Sequence, residues 1–71
     1  MNIHAKPGTK VTVTEQSIKN GYEVDKIFAS QNLEVGKTYT VKRTNVGDFE
    51  TSVEVEEVPG KHFNSVNFEN L

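Results

Sequence analysis

Apolar and polar residues alternate in residues 9–14, and this alternation predicts the first strand of the chain. Val11 and Val13 fall on one side of that strand, and lysine and threonine side chains fall on the other. Pro7 and Gly8, immediately before it, form a typical turn pair. The segment is therefore predicted to be a half-buried strand whose two valines point into the core.

Two longer alternating segments predict a central hairpin. Residues 38–45 form its first strand, with Tyr39 and Val41 on the inner face, and residues 49–55 form its second strand. The second strand is predicted to have Phe49, Thr51, Val53 and Val55 on its inner face, and Glu50, Ser52, Glu54 and Glu56 on its outer face.

The register of this hairpin follows from its inner face. Inward residues must lie opposite inward residues, because a slip of one residue exchanges the two faces of a strand. A three-residue loop over 46–48 meets this condition, with one of its last two residues supplying a positive φ. The loop pairs Val41 with Val53 and Tyr39 with Val55.

Residues 15–37, between the first two strands, show no strand pattern. Val24, Ile27 and Phe28 have the spacing of one face of a helical turn, but the segment is too short to be stable as an isolated helix. We interpret the region as a long folded loop. Its side chains predicted to pack over one end of the sheet are Ile18, Tyr22, Ile27 and Phe28.

The end of the chain predicts one more strand. Pro59-Gly60 indicates a turn, Phe63 begins a tight helical turn, and residues 65–69 form a short strand with Val66 and Phe68 on one face. The chain thus contains four to five short antiparallel strands joined by glycine and proline turns. An all-β fold that closes into a small barrel is predicted, because closure removes exposed strand edges.

Composition narrows the function classes. Seventy-one residues make one domain, 1–71, and ten valines suit a sheet. The absence of cysteine excludes disulfides and thiolate chemistry and suits a reducing cytoplasm. No apolar run resembles a signal peptide or a membrane span. The net charge of -2 gives the chain no overall excess of basic residues for binding nucleic acid.

No arrangement of residues predicts an enzyme. His4 and His62, the two histidines, have no metal-ligand spacing, and no serine can be joined to a base and an acid from sequence alone. Residues 36–38, Gly-Lys-Thr, lack the earlier glycine and following helix of a phosphate-binding loop, so they are predicted to be a turn. We therefore expect no catalytic residue, no metal and no cofactor.

An acidic stripe on the outer face of the hairpin is the main candidate for a binding surface. It has two interpretations: a docking surface for a basic protein partner, or an ordinary solvated face partly neutralised by Lys42, which is the commoner case. On either interpretation Val53→Asp should abolish folding, whereas Glu54→Lys should change stability little. The residues proposed for a protein-binding surface are Glu50, Glu54, Glu56, Glu57 and Tyr22.

Nucleic-acid binding is the weaker alternative. It would need several basic residues on one face, with Tyr22 or Phe63 as stacking platforms for bases. The eight basic residues are scattered and are outnumbered by ten acidic ones. The basic residues considered for this role are Lys10, Lys19, Lys26, Lys37, Lys42, Arg43 and Lys61.

Three segments, about half of the chain, carry a resemblance to a known group of proteins. Residues 33–41 read L-x-x-G-K-x-Y-x-V, residues 49–55 form the alternating strand described above, and residues 59–69 read P-G-K-x-F-N-S-V-x-F-E. The sequence resembles small proteins carried by bacteriophages and prophages, especially of Gram-positive bacteria. Its order of elements resembles the SH3-like barrel.

This resemblance implies a fold and a setting but no reaction. It implies an SH3-like barrel of four to five strands, with a long loop after the first strand and a helical turn before the last. It also implies a non-enzymatic accessory protein in the bacterial cytoplasm that binds a protein partner, a host or host-defence factor being the leading candidate. The alternatives are a nucleic-acid-binding barrel and a self-assembling structural module. Proline-motif recognition is not expected, because the chain has no tryptophan.

Overall fold

Five antiparallel strands form one curved sheet, with one helix beside it. The computed structural model describes residues 1–71. Two 3-10 turns, Ser17–Lys19 and Ser65–Asn67, complete the set of regular elements. The strands and the helix are β1 (Lys10–Thr12), α1 (Glu23–Asn32), β2 (Thr38–Val46), β3 (Thr51–Val55), β4 (Phe63–Asn64) and β5 (Glu69–Asn70).

The order of strands in the sheet is β4-β3-β2-β1-β5. β4 and β5 lie at opposite edges, yet only residues 65–68 join them, and three of these form a 3-10 turn with a rise of about 2.0 Å per residue. Four steps between strands would span about 19 Å in a flat sheet. The sheet must therefore curl. The predicted all-β domain of four to five antiparallel strands, with a helical turn before the last, is confirmed, and the number of strands is five.

Alternation predicted most of the core correctly. Tyr39 and Phe68 meet edge-on at 6.2 Å between ring centroids, and Phe63 meets Phe68 in the same way at 6.0 Å. Such edge-to-face pairs are favourable beyond the area they bury. The ten buried apolar residues are Val11, Val13, Ala29, Leu33, Tyr39, Val41, Val53, Val55, Phe63 and Phe68.

The predicted register of the hairpin is wrong, by two residues at Val41 and by three residues between Arg43 and the loop. Val41 pairs with Val55, and Thr44 rather than Val41 lies opposite Val53. The ladder shifts between Val41 and Arg43, because β2 holds one extra residue there as a β-bulge. The shift of three residues arises because the loop lies at 47–50 instead of 46–48, and the bulge reduces the shift to two at Val41.

The loop of the hairpin also differs from the prediction. Residues 47–50 connect β2 to β3, and the Gly47 N–H donates to the Glu50 carbonyl at 2.9 Å. A Cβ on Gly47 would lie 2.7 Å from that carbonyl oxygen, so the glycine is required for close approach and not for a positive φ. Phe49 falls in this loop instead of in a strand and is 96% exposed, so its assignment to the inner face is wrong.

The interpretation of residues 15–37 as a loop is also wrong in part, because α1 runs for ten residues. The Asp25 carboxylate accepts the Tyr22 N–H at 2.9 Å and so satisfies one free donor at the start of the helix. Ala29 and Leu33 face the core, with Phe28 packed against it. Tyr22 and Ile27 are exposed, because the helix buries the stripe centred on Ala29 rather than the face predicted from Val24 and Ile27.

The last predicted strand is mostly a turn. Residues 65–67 form the second 3-10 turn, and the Asn64 side chain accepts the Val66 N–H at its start. Phe68 is buried as predicted, but Val66 is exposed and Asn67 takes the buried position. The Asn67 amide donates to the Ser17 and Asn20 carbonyls at 3.1 and 3.0 Å, which joins the two 3-10 turns.

Candidate functional site

The acidic stripe predicted on the outer face of the hairpin does not exist as one surface. Glu54 is only 7% exposed, because the segment before β4 and the side chains of β2 cover it. Its carboxylate lies 3.2 Å from Arg43 Nε, 3.9 Å from Lys42 Nζ and 3.9 Å from His62 Nε2. Glu54 is therefore part of a local charge cluster and is not available to a partner.

Glu57 has a local structural role at the other end of the hairpin. Its carboxylate accepts hydrogen bonds from the Thr40 N–H and hydroxyl, both at 2.8 Å, and Lys10 Nζ lies 2.7 Å from the same hydroxyl. Burial raises the pKa of the Glu57 carboxyl, but these hydrogen bonds and the charge of Lys10 outweigh it, so the pKa is lowered. Glu56 is exposed beside it.

The two remaining predicted residues, Glu50 and Tyr22, meet in an open groove of about 650 Å³. Three segments line it: residues 20–22 before α1, residues 46–51 of the hairpin loop, and residues 64–66 of the second 3-10 turn. Ile3 completes one wall. The structure thus brings two of the five proposed binding residues together and places the other three elsewhere.

Exposed apolar side chains form much of this groove. Phe49 is 96% exposed and Tyr22 is 64% exposed, although aromatic side chains of this size are usually well buried. Val46, Val66 and Ile3 are exposed by 49%, 42% and 37%. These five residues, Ile3, Tyr22, Val46, Phe49 and Val66, are called here the apolar wall.

Hydrogen bonds hold the segments around the groove together. The Asn64 amide donates to the Asp25 carboxylate at 3.0 Å and to the Glu50 carboxylate at 3.5 Å, so it links β4 to α1 and to the hairpin loop. The Asn20 amide donates to the Val66 carbonyl at 3.1 Å. Gly21 has a φ of +91°, and a Cβ there would lie 2.9 Å from an Asp25 carboxylate oxygen. The groove is therefore built into the fold.

The groove is acidic. Asp48 and Glu50 are its only ionisable carboxylates, and no lysine, arginine or histidine lines it. Two lysines are engaged outside the groove: Lys37 lies 5.4 Å from the Tyr39 ring centroid, and Lys61 lies 5.7 Å from that of Phe28.

Two predicted roles for other residues can be compared with the structure directly. Phe63 is 3% exposed, so the stacking platform predicted for it in nucleic-acid binding is wrong. The predicted turn lies at Gly36, which has a φ of +88° and donates its N–H to the Val13 carbonyl at 2.7 Å, and β2 begins at Thr38.

The histidines lie in separate places. His4 lines a depression near the chain termini, and His62 lines a small polar depression with Ser52 and Glu54. No three histidine, aspartate or glutamate side chains are grouped so that they could hold a metal ion. None of the helices has the length and apolar character needed to cross a bilayer.

A comparison with known families adds to this geometry. A family model described as bacteriophage T4 protein Y07B matches residues 2–71. The chain belongs to this bacteriophage protein family. The phage origin implied by the resemblance is thereby confirmed, and the Y07B match covers both the sheet and the groove. No curated protein and no solved structure matches the chain.

The apolar wall was not predicted from the sequence of this Y07B family member, although one signal for it was present. Gly47-Asp48 is a turn pair directly before Phe49. A turn at this position can place Phe49 at the tip of a loop, where no sheet neighbour covers it. The strict alternation of residues 49–55 favoured the strand instead.

Proposed function

We propose that this phage protein acts without catalysis, by binding a segment of another protein in the groove, in the cytoplasm of the infected bacterium. A host protein, including a host-defence factor, is the leading candidate for the partner. The observation that carries the proposal is the apolar wall, above all the almost complete exposure of Phe49 in a structured loop.

Folding does not explain this exposure. The ten buried residues of the core do not include any residue of the apolar wall. Large apolar side chains grouped on a surface are typical of interaction sites, and aromatic residues contribute much of the binding energy at protein interfaces. A partner that covers Phe49 and Tyr22 accounts for their position.

The test compares Phe49→Ala with Leu71→Ala, a matched control whose side chain is 71% exposed and lies outside the groove. Wild-type protein and both variants are immobilised and exposed to lysate of the host bacterium. A partner retained by wild type and Leu71→Ala, and lost from Phe49→Ala, would support the proposal. With the purified partner, Phe49→Ala should weaken binding by about tenfold or more.

Two results would contradict the proposal. One is a partner that Phe49→Ala retains as well as wild type does, since the groove would then not be the contact surface. The other is a wild-type protein that retains nothing specific. Thermal melts of both variants should match wild type, because neither side chain is part of the core.

Self-assembly is a second candidate, supported by one observation. The Arg43–Val46 part of β2 pairs with β3 on one side, while β1 pairs only with Thr38–Thr40. Backbone groups on an unpaired strand edge can bind a further strand. Light scattering across a range of protein concentrations would show a rising mass if copies pair there, and a constant monomer mass would remove this candidate.

A further inference from the structure

We infer that the partner segment is basic: a short peptide with one or two apolar anchors flanked by lysine or arginine. This inference rests on the proposed function, because it concerns the same groove. It adds a property that the apolar wall alone does not give, namely the charge of the residues that accompany the anchor.

The charged side chains that line the groove all have the same sign. Asp48 and Glu50 flank Phe49 in the sequence and line the groove with it, and Asp25 lies behind them, bonded to Asn64. No basic side chain lines the groove. The side chains that line the groove therefore present only negative charge to an apolar segment that enters it.

The two carboxylates that line the groove are free to bind a cation. Asp48 has no side-chain hydrogen bond or ion pair, and Glu50 has one long hydrogen bond, at 3.5 Å, to the Asn64 amide. Glu54 differs, because three basic side chains of this chain already surround it. Unpaired carboxylates beside an exposed aromatic ring fit lysine or arginine from outside, which can pair with the carboxylate and lie over the ring.

The volume of the groove and its negative charge favour some classes of ligand over others. A volume of about 650 Å³ lies in the range of sites that hold small ligands, so it suits a few residues of extended chain rather than a whole protein face. Nucleic acid is disfavoured, because its phosphates would lie against Asp48 and Glu50. Among protein segments, electrostatic complementarity favours a basic one.

The experiment uses a displayed library of random twelve-residue peptides selected on wild-type protein. Peptides that are retained should combine aromatic or aliphatic residues with an excess of lysine and arginine over aspartate and glutamate. Their affinity should fall as salt is raised. The double variant Asp48→Asn/Glu50→Gln should bind them roughly tenfold more weakly. The matched control Glu56→Gln, which removes a carboxylate outside the groove, should bind as wild type does.

The outcomes separate this inference from the proposed function. If Phe49→Ala abolishes binding but the peptides show no basic excess, or the double variant binds equally well, the charge inference is wrong and the groove proposal stands. If Phe49→Ala binds the peptides as tightly as wild type, or no peptide is enriched, both are wrong. A fluorescent twelve-nucleotide DNA that binds wild type and not Phe49→Ala would also overturn the inference.

Discussion

The two ends of the β2–β3 hairpin use the same kinds of residue in opposite ways. Away from the loop, Val41, Val53 and Val55 are completely buried, and β1 and β4 pair with these two strands. At the loop end, Val46 is 49% exposed and Phe49 is 96% exposed. The alternating pattern extends without a break from Phe49, at the loop, to Val55, at the other end. Alternation alone therefore does not say which apolar residues form the core.

Coverage by neighbouring elements explains the difference. β1 pairs with the first residues of β2, and β4 pairs with Ser52 and Val53. No further strand pairs with residues 43–46 of β2 on the side away from β3, and Phe49 at the tip of the hairpin is 96% exposed. Stability and binding are therefore carried by different residues, and substitutions at the two ends should separate the two properties.

The largest expected effect is that of Val53→Asp, which places an unpaired carboxylate in a completely buried position. A cost of about 4 kcal/mol or more approaches the whole stability of a domain of this size, so no cooperative thermal transition should remain. Val46→Asp is the matched control in the same hairpin and should still fold. Circular dichroism melts and amide NMR spectra measure both, and equal damage from the two would contradict the comparison of the two ends.

Glu54→Lys should have the next largest effect, contrary to the expectation from sequence. The new lysine would lie beside Lys42 and Arg43 in a position where only 9% of the side chain is exposed. Repulsion and an unpaired buried charge should lower the free energy of unfolding by about 2–4 kcal/mol. Urea denaturation measures this loss.

Glu56→Lys is the control for that substitution, since Glu56 is exposed and its side chain has no ion pair. It should change stability by less than about 0.5 kcal/mol. If Glu54→Lys proved as mild as Glu56→Lys, the Glu54 side chain would be exposed in solution and the charge cluster would not hold it.

The sheet could be predicted from sequence because its signals are local. Val11, Val13, Tyr39 and Val41 alternate in short runs bounded by turn residues, and each was placed on the correct face. Hairpin register was not predictable in the same way. A bulge at Lys42 leaves no mark in the alternation, because the extra residue is polar and polar residues are common on an outer face.

Errors elsewhere came from tertiary contacts that override local patterns. The α1 segment carries apolar residues at Val24 and Ile27, but the sheet selects the face of Ala29, whose small side chain allows close approach. Glu54 looked like an exposed outer-face residue, but Lys42, Arg43 and His62 lie around its carboxylate and only 7% of the residue is exposed. Of the candidate site, Tyr22 and Glu50 were predicted, while the exposure of Phe49 depends on a loop that the alternation concealed.

Valine-to-alanine substitutions should have a smaller effect on stability, and they compare the two ends of the hairpin without introducing a charge. Val41→Ala removes two buried methyl groups and leaves a cavity, so it should lower the free energy of unfolding by about 2 kcal/mol. Val46→Ala, at the loop end, should lower it by less than about 0.5 kcal/mol. Urea melts of the two variants give the difference directly. Similar losses would mean that the loop end is packed in solution.

The smallest effect on stability is expected from the hydrogen bonds that Glu57 accepts at the end of the hairpin away from the loop. Its pKa is lowered from the ordinary value of 4.5, so ionised Glu57 stabilises the fold above that value. This contribution is lost as the pH falls through the lower, folded-state pKa. Glu57→Gln should therefore melt below wild type at pH 7, by no more than about 3 °C because the site is largely exposed, and the difference should disappear in acid.

Two further variants test the cause assigned to this pH dependence. Thr40→Val removes the hydroxyl that donates to Glu57 Oε2 but keeps the backbone N–H, so its own difference from wild type should show a smaller part of the same dependence on pH. Glu56→Gln is the control, because its carboxylate accepts no hydrogen bond and its removal should not reproduce the effect. Thermal melts of the four proteins from pH 7 to pH 3 make the comparison. A Glu57→Gln difference that grows in acid would have the wrong sign for a lowered pKa and would show that Thr40 does not stabilise the ionised carboxylate.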